Sequence, residues 1–308
     1  MYSTNPIVQR ALNAIANRVF DQVGSLVKII VWNVSAGNAI SIHMPSGRVI
    51  MIDAGASENC SPCQILYEQG FEEIHTLVVT HPHEDHVADL PTMRKLRMGP
   101  KFFLRPKEIS IADIWNGNPS RDSEAVKAYI DVDGQYRTPV PERDNIFSSG
   151  GCDGVRFREF STTKHPASDL NNRSIVVVAT IGATKILFPG DCTPASMKDL
   201  LEDENFVREI KGTTILVAPH HGRQSCCCDE LMGAISPKVT IISDGKYRSG
   251  PCATEYYSRH SDGVLYKKVD GGTELRYCLT TRNDGMITIN IDTVRGCRVE
   301  TRGGMAQC

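Results

Sequence analysis

The chain lacks any apolar run near the roughly 18 residues that a membrane-spanning helix needs. It lacks a secretory leader as well: residues 7–23 are broken by Gln9, Arg10, Asn13, Asn17, Arg18, Asp21 and Gln22, so no apolar signal core forms. Nor is there an excess of charge, since 34 Lys plus Arg stand against 36 Asp plus Glu for a net charge of −2. That excludes a strongly basic nucleic-acid binder or an acidic disordered tail as a description of the whole chain, and leaves any nucleic-acid contact to a local patch. Gly at 25 and Pro at 16 are too ordinary for a collagen-like or low-complexity segment, and no internal repeat is present. Cys60-Ser61-Pro62-Cys63 is a lone CxxC without the second ligand pair that a zinc knuckle needs. The 11 cysteines are odd in number and include the consecutive Cys226, Cys227 and Cys228, which fit the specific geometry of disulfides poorly and read as thiols in a reducing cytosol. These absences predict a soluble, cytoplasmic protein with no membrane partner.

What is present is a chain of 308 residues, 41% hydrophobic, enough for one large domain or two small ones with a sizeable core. Asn5-Pro6 followed by Val8, Leu12, Ile15, Val19 and Val23 predicts a capped amphipathic helix, whose apolar face must be buried on the body or on a partner. Residues 1–27 are therefore read as a helical extension, and residues 28–308 as the main domain. Short β-rich runs over 27–34, 39–44 and 48–52 predict an antiparallel meander. A helix over 62–69, a buried strand over 76–80, a helix running to about residue 98 and a strand over 102–104 follow. Residues 105–150, with one helix over 123–130, read as an insertion beside the site. Strands are predicted over 155–160, 174–180 and 185–188, then a helix over 194–201, then strands over 213–218 and 239–242 flanking a Cys-rich helical segment. Runs over 275–279 and 286–291 suggest a closing hairpin across Asn283-Asp284-Gly285. Strands, helices, strands and helices in that order predict two sheets between helical layers.

The decisive stretch is Thr80-His81-Pro82-His83-Glu84-Asp85-His86, where three imidazoles and a carboxylate follow an apolar strand. Neutral imidazole and carboxylate suit zinc and other first-row metals. An extended strand end turns His81 and His83 to one side, and the turn into a helix presents Asp85 and His86 nearby, a geometry suited to two metal ions. Asp191, in Phe188-Pro189-Gly190-Asp191, stands at a strand end and is read as a bridging ligand, the alternative being a cap for the helix starting at Pro194. His220 and His221 at another strand end would add one ligand and leave one imidazole for substrate.

HxHxDH, then Gly-Asp, then His-His-Gly, each at a strand end, resembles the metallo-β-lactamase fold superfamily. Trp32-Asn33-Val34-Ser35-Ala36-Gly37-Asn38-Ala39, Ile52-Asp53-Ala54-Gly55, Asn171-Asn172-Arg173-Ser174 and Ala218-Pro219-His220-His221-Gly222 bring it closer to the hydrolase domain of ComEC-type DNA-uptake competence proteins. The resemblance covers residues 28–291. It implies an α+β fold, an αββα sandwich of two mixed sheets between helical layers with the site at one sheet edge. The chain departs from that branch at Asn33 and Asn38 in place of Asp, at Ser35 in place of glycine, and at Ser249-Gly250-Pro251, which lacks a histidine. The superfamily's isolated third histidine has no counterpart, with Asn171 near its position and His165 six residues earlier. Weaker oxygen ligation there suits Mn²⁺ as well as Zn²⁺.

Two divalent ions would make a water acidic enough to supply hydroxide near neutral pH and would neutralise charge on an attacked oxygen. The expected metal set is His81, His83, Asp85, His86, Asp191 and His221. Asp85 also counts as catalytic, and His220 is assigned to hydrogen-bonding substrate or protonating a leaving group. Asp53 is read as orienting a metal-bound histidine, with a turn-forming Asp as the alternative. Arg94, Lys95, Arg97 and Lys101, with Arg105, Lys107, Arg223, Lys246 and Arg248, suggest a positive rim for a phosphate backbone, unless they are a solvated face. The leading function is a phosphodiesterase or nuclease acting on DNA or RNA. A hydrolase of a small ester, lactone or phosphodiester, and a non-enzymatic subunit that binds a protein partner or self-associates through the N-terminal helix, are the alternatives.

Overall fold

The computed structural model describes residues 26–148, 150–245, 252–293 and 295–308. The helix expected over residues 5–23, together with Lys246, Arg248 and Ser249-Gly250-Pro251, lies outside the described residues. β1 (Leu26–Val31), β2 (Ala39–His43) and β3 (Val49–Ala54) form the expected antiparallel meander. Helix α1 (Pro62–Glu68) leads into β4 (Ile74–Val78), which pairs parallel to β3. Two short helices, α2 (Glu84–Val87) and α3 (Leu90–Lys95), then return the chain to β5 (Pro100–Leu104), parallel to β4. After α4 (Ile111–Gly117) and α5 (Glu124–Gln135), β6 (Val155–Phe160), β7 (Val176–Ile181) and β8 (Thr184–Phe188) build a second antiparallel run. Helices α6 (Pro194–Leu201) and α7 (Glu204–Ile210), β9 (Ile215–Val217), α8 (Asp229–Ile235), β10 (Val239–Ile242) and α9 (Thr254–Arg259) follow. β11 (Val264–Lys268), β12 (Thr273–Arg276), β13 (Cys278–Thr280), α10 (Thr281–Asp284), β14 (Ile287–Asp292), β15 (Gly296–Thr301) and β16 (Gly304–Gln307) end the described chain.

These strands make a ten-stranded sheet ordered β12-β11-β16-β15-β14-β1-β2-β3-β4-β5 and a six-stranded sheet ordered β13-β10-β9-β8-β7-β6. Side-chain alternation shows how they stack. Val27, Ile29 and Val31 of β1 point into a shared core with Val177, Ala179 and Ile181 of β7. Their neighbours Ile30 and Trp32 pack instead on Leu66, Leu90, Met93, Val126 and Tyr129 from the outer helices. On the other sheet Val176 and Val178 meet Met197, Phe206, Leu231 and Tyr257. Strands such as β3, β4, β9 and β10 are covered on both faces, which is why they read as nearly unbroken apolar runs, whereas β11, β15 and β16 alternate and leave one face to solvent. The architecture is an αββα sandwich.

Four expectations need correction. The single helix running to residue 98 is two, because Pro91 belongs to the first turn of α3 and the chain breaks at Asp89. The buried Asp89 carboxylate instead accepts from Ser61 Oγ (2.6 Å) and the Cys63 N–H (2.7 Å) at the start of α1. The insertion holds two α-helices, capped by Ser110 and Ser123, where one was expected. Helix α7, capped by Asp203, was not foreseen. The closing hairpin does not exist: β13 pairs parallel to β10 in the smaller sheet, whereas β14 pairs with β1 in the larger. Asp284 explains the difference, since its carboxylate holds Arg276 at 2.9 and 3.0 Å and accepts from the Thr280 N–H at 2.8 Å. Those bonds wind 281–284 into a helical turn that carries the chain from one sheet to the other.

Candidate metal centre

The clustered residues all leave the C-terminal ends of strands. His81 and His83 follow β4, Asp53 ends β3, Asp191 follows β8 and His221 follows β9. β3 and β4 run parallel in one sheet and β8 and β9 in the other, so these ends meet at one edge of the sandwich. Close backbone approach ties the loops together. The Ile175 N–H donates to the Thr80 carbonyl (2.9 Å) and the His220 N–H to the Gly190 carbonyl (3.0 Å). Gly190 adopts φ +59°, and a Cβ there would lie 2.9 Å from Thr80 Cβ, so only glycine lets the two loops touch. His220 (φ 47°) and His221 (φ 54°) are both left-handed, a conformation costly for non-glycine residues and held here by the surrounding loops.

Within the cluster, His81 Nε2 lies 2.9 Å from His83 Nδ1 and 3.7 Å from Asp191 Oδ2. His86 Nε2 lies 3.2 Å from Asp191 Oδ1 and 3.3 Å from His221 Nε2. His221 Nε2 is also 3.4 Å from Asp85 Oδ2 and 3.6 Å from Asp191 Oδ2. The opposite ring nitrogens are engaged elsewhere: His86 Nδ1 with Asp53 Oδ2 at 2.8 Å, and His221 Nδ1 with the Ser243 carbonyl at 3.1 Å. With those protons donated outward, His86 and His221 in their neutral forms would turn bare lone pairs toward each other and toward two carboxylates. Such facing acceptors fit a cation between them. His81, His86 and Asp191 form one group of donor atoms within 4.8 Å of one another, and Asp85, His86 and His221 another. The donor set fits one or two divalent metals.

The electrostatics show the same demand for positive charge, met by protons on His86 and His221 where no metal is held. Burial, reinforced by the neighbouring His86, holds His81 well below its ordinary pKa, and burial also lowers His83. Burial works against His86 too, but the Asp191 and Asp53 carboxylates outweigh it and hold His86 well above the usual imidazole value. His221 is likewise raised, with Asp191 and Asp85 overcoming burial. Burial opposes the ionisation of Asp85 and Asp191, yet the surrounding imidazoles hold both carboxyls below the ordinary range. His220 is pushed down to about 4 by burial, so it is neutral at neutral pH. Its Nδ1 lies 3.3 Å from Cys226 Sγ and its Nε2 3.5 Å from Asp191 Oδ2.

The structure thus brings together His81, His83, Asp85, His86, Asp191, His220 and His221, with Asp53 behind them. Asp53 is fully buried at φ 59° and accepts from His86 Nδ1, the Thr80 N–H (2.7 Å), Thr80 Oγ1 (2.9 Å) and Asn38 Nδ2 (2.9 Å). His165 is not among them: its Nε2 lies 2.9 Å from Asp199 Oδ2 on α6. Asn171 opens a short turn whose last neighbour, Ser174, is the residue that reaches the cluster. Ser174 Oγ lies 3.3 Å from His81 Nδ1 and accepts from the Asp191 N–H at 3.2 Å. Ser174 carries no signal in the sequence beyond its place in a motif, and Asn118 and Ser243 carry none, since neither is near a ligand in sequence.

The rim is also placed differently. β4 and β5 are parallel, with Ile74 opposite Pro100 and Thr76 opposite Phe102, so Lys101 stands level with His75. At about 3.3 Å per strand residue, that is about 20 Å down the sheet from His81. Arg94 and Lys95 end α3 and Arg97 follows, on the segment that returns to this far edge, and Arg94 is paired with Asp131 at 2.7 Å. Arg105 and Lys107 lie at the other end of β5, where they line a cleft of about 390 Å³ with the buried Arg173 and Ile175.

A sequence model of the Metallo-beta-lactamase superfamily matches residues 32–225. A curated relative, Recombination protein 2 of Haemophilus influenzae, is 24% identical over 174 residues, covering 53% of this chain and 21% of that protein. The chain therefore spans about a fifth of the curated relative it matches. Among solved structures, a variant of the beta-hydroxylase CmlA superposes with a TM-score of 0.51 at 15% identity, over 86% of this chain and 54% of that one. A diphosphatase of the PhnP family superposes with a TM-score of 0.41 at 14% identity, over 83% and 95%. The likeness to CmlA is one of fold. Among the described residues, no helix is long and apolar enough to cross a membrane.

Proposed function

The chain belongs to the metallo-beta-lactamase superfamily, and from that premise we propose that it is a metal-dependent phosphodiesterase acting on nucleic acid, of the type that ComEC-type hydrolase domains resemble. The observation that carries this reading is the buried donor cluster of His81, His83, Asp85, His86, Asp191 and His221. His81 and His83 touch each other, His86 and His221 touch each other, and Asp191 is within reach of both pairs and is the carboxylate they would share. Divalent zinc or manganese held there would supply Lewis acidity and a hydroxide nucleophile near neutral pH.

The chain's own residues then have separable tasks. Asp53 fixes the tautomer of His86, and the Ser243 carbonyl fixes that of His221. His220, neutral and uninvolved in those second bonds, is the group that would hydrogen-bond a non-bridging phosphate oxygen or pass a proton to the leaving group. The choice of a nucleic acid is supported by the name of the curated relative and by the exposed Lys107 at the site end of the sheet. A second reading, hydrolysis of a small ester, lactone or phosphodiester, is favoured by the far-edge position of Arg94, Lys95, Arg97 and Lys101.

The test is a panel of single- and double-stranded DNA, RNA, a generic aryl phosphodiester and a lactone, each with Mn²⁺, Zn²⁺ or Mg²⁺. We expect metal-dependent cleavage of polynucleotide and aryl diester. Turnover of the lactone alone would overturn the phosphodiesterase reading, and elemental analysis finding no metal in protein purified without chelator would overturn the metal reading beneath it.

A further inference from the structure

The loop that carries the metal-site histidines is fastened by the insertion that follows β5. Helix α2 starts with His83 at its N-cap, but the His83 side chain makes no capping bond because it faces the site. The first N–H groups of a helix have no partner within it. Here Asn118 takes over that task from another segment. Its Oδ1 accepts from the Glu84 N–H at 2.8 Å, and its Nδ2 donates to the Pro82 carbonyl and to the Ile114 carbonyl, both at 2.9 Å. Asn118 is buried, so these backbone groups have no water to turn to. The Glu84 carboxylate accepts from Ser123 Oγ at 2.9 Å. Pro82 and Glu84, on either side of His83, are thus held by 118–123.

The same segment touches the other half of the site. A Cβ on Gly117 would come within 2.4 Å of the Leu170 side chain. Leu170 immediately precedes the turn that delivers Ser174 to His81 and Asp191.

We propose that Asn118 is a positioning clamp for the metal centre, fixing the backbone on both sides of His83 and starting α2 in the register that presents Asp85 and His86. The insertion is then part of the site rather than an appendage to it. This inference rests on the metal-centre reading.

The test uses the full chain loaded with cobalt(II) as a spectroscopic stand-in. Cobalt affinity is measured by competition with a chromophoric chelator, the d–d absorption bands are recorded, and circular dichroism shows that each variant is folded at the working temperature. Asn118→Ala should weaken cobalt binding about 10- to 100-fold, as removal of a group supporting a metal-bound histidine does, and should alter the bands. Asn118→Asp keeps the acceptor for the Glu84 N–H and loses both donors, so it should fall between, and it carries the test if the alanine variant does not fold. A general loss of stability would leave the bands of the folded molecules unchanged. Folded variants with wild-type affinity and wild-type bands overturn the clamp alone. A wild-type chain that binds no cobalt overturns the metal-centre reading instead.

Discussion

Asp53→Asn changes one atom in the buried network behind the metal site, and its consequence can be worked through. Oδ1 of the carboxylate accepts from the Thr80 N–H; Oδ2 accepts from His86 Nδ1, Asn38 Nδ2 and Thr80 Oγ1. If the amide NH₂ takes the place of Oδ2, it faces the donors of Asn38 and His86. His86 regains a bond only by moving its proton to Nε2, the atom 3.2 Å from Asp191 and 3.3 Å from His221, so its lone pair leaves the donor set. If the NH₂ takes the place of Oδ1, it opposes the Thr80 N–H, and an unpartnered buried donor costs about 1–3 kcal/mol. Neither orientation restores the native pattern. The backbone does not confuse the comparison, because Asn tolerates the left-handed φ of 59° as readily as Asp. Metal affinity should fall about 10- to 100-fold, or about 1.4–2.7 kcal/mol. Chelator competition measures that loss, and ¹⁵N chemical shifts of the imidazoles report the His86 tautomer. Unchanged affinity with the proton still on Nδ1 would refute the reasoning.

Asp191→Asn should leave the fold intact but abolish turnover and metal retention, since an amide neither carries charge nor bridges as a carboxylate does; the helix at Pro194 is capped by Thr193 and not by Asp191, and wild-type rates would remove Asp191 from the metal set. Gly55→Ala should lower the melting temperature and loosen the site, because its Cβ would sit 2.6 Å from the Asp85 carbonyl and 2.7 Å from that of Asn38, and overpacking of this kind costs about 1–3 kcal/mol; a wild-type melting temperature would sink that reading. His43, pushed down to about 4 by burial, takes its proton in the unfolded chain near pH 6.5. Its contribution to stability is therefore full above about pH 6.5 and is lost as the pH falls toward 4, by about 2–3 kcal/mol. His43→Gln should flatten the fall in urea midpoint between pH 7 and pH 4.5, and an equally steep fall in the variant would exclude His43 as its source. The quadruple variant Arg94→Ala, Lys95→Ala, Arg97→Ala, Lys101→Ala should cleave polynucleotide with unchanged salt dependence, because those residues sit at the far edge; a flatter salt slope would place them on the substrate.

Residues 155–160 and 239–242 are both legible to the residue, for different reasons: 239–242 is buried on both faces and reads as an apolar run, whereas 155–160 alternates between buried and solvent-facing positions. What failed is what depends on partners remote in sequence. The turn over 281–284 is decided by Arg276 and Asp284 meeting across a strand junction, and a Gly after Asn-Asp looks the same whether it closes a hairpin or a helical turn. Helix α4 was hidden by its brevity, its only strong local signal being the reciprocal pair of Ser110 and Asp113.

The site divides along the same line. The histidines and aspartates are legible since each sits beside a strand end and their chemistry is visible residue by residue. Their supports are not, because Asn118, Ser174 and Ser243 act through single bonds formed only when distant loops meet. The rim shows the limit most plainly. Basic residues following a metal motif were read as lying beside it, on the assumption that nearness in sequence means nearness in space. A parallel pair of strands makes the opposite true: the helix after β4 has to carry the chain back down the sheet before β5 can begin. Residues that follow His86 by about eight to fifteen positions are thereby moved away from it, and those that follow by about twenty, at the end of β5, return. The parallel pairing alone therefore exchanges the candidates for substrate contact, Lys107 in place of Arg94 and Lys101, and the quadruple variant tests the half of that exchange that sets the far-edge residues aside.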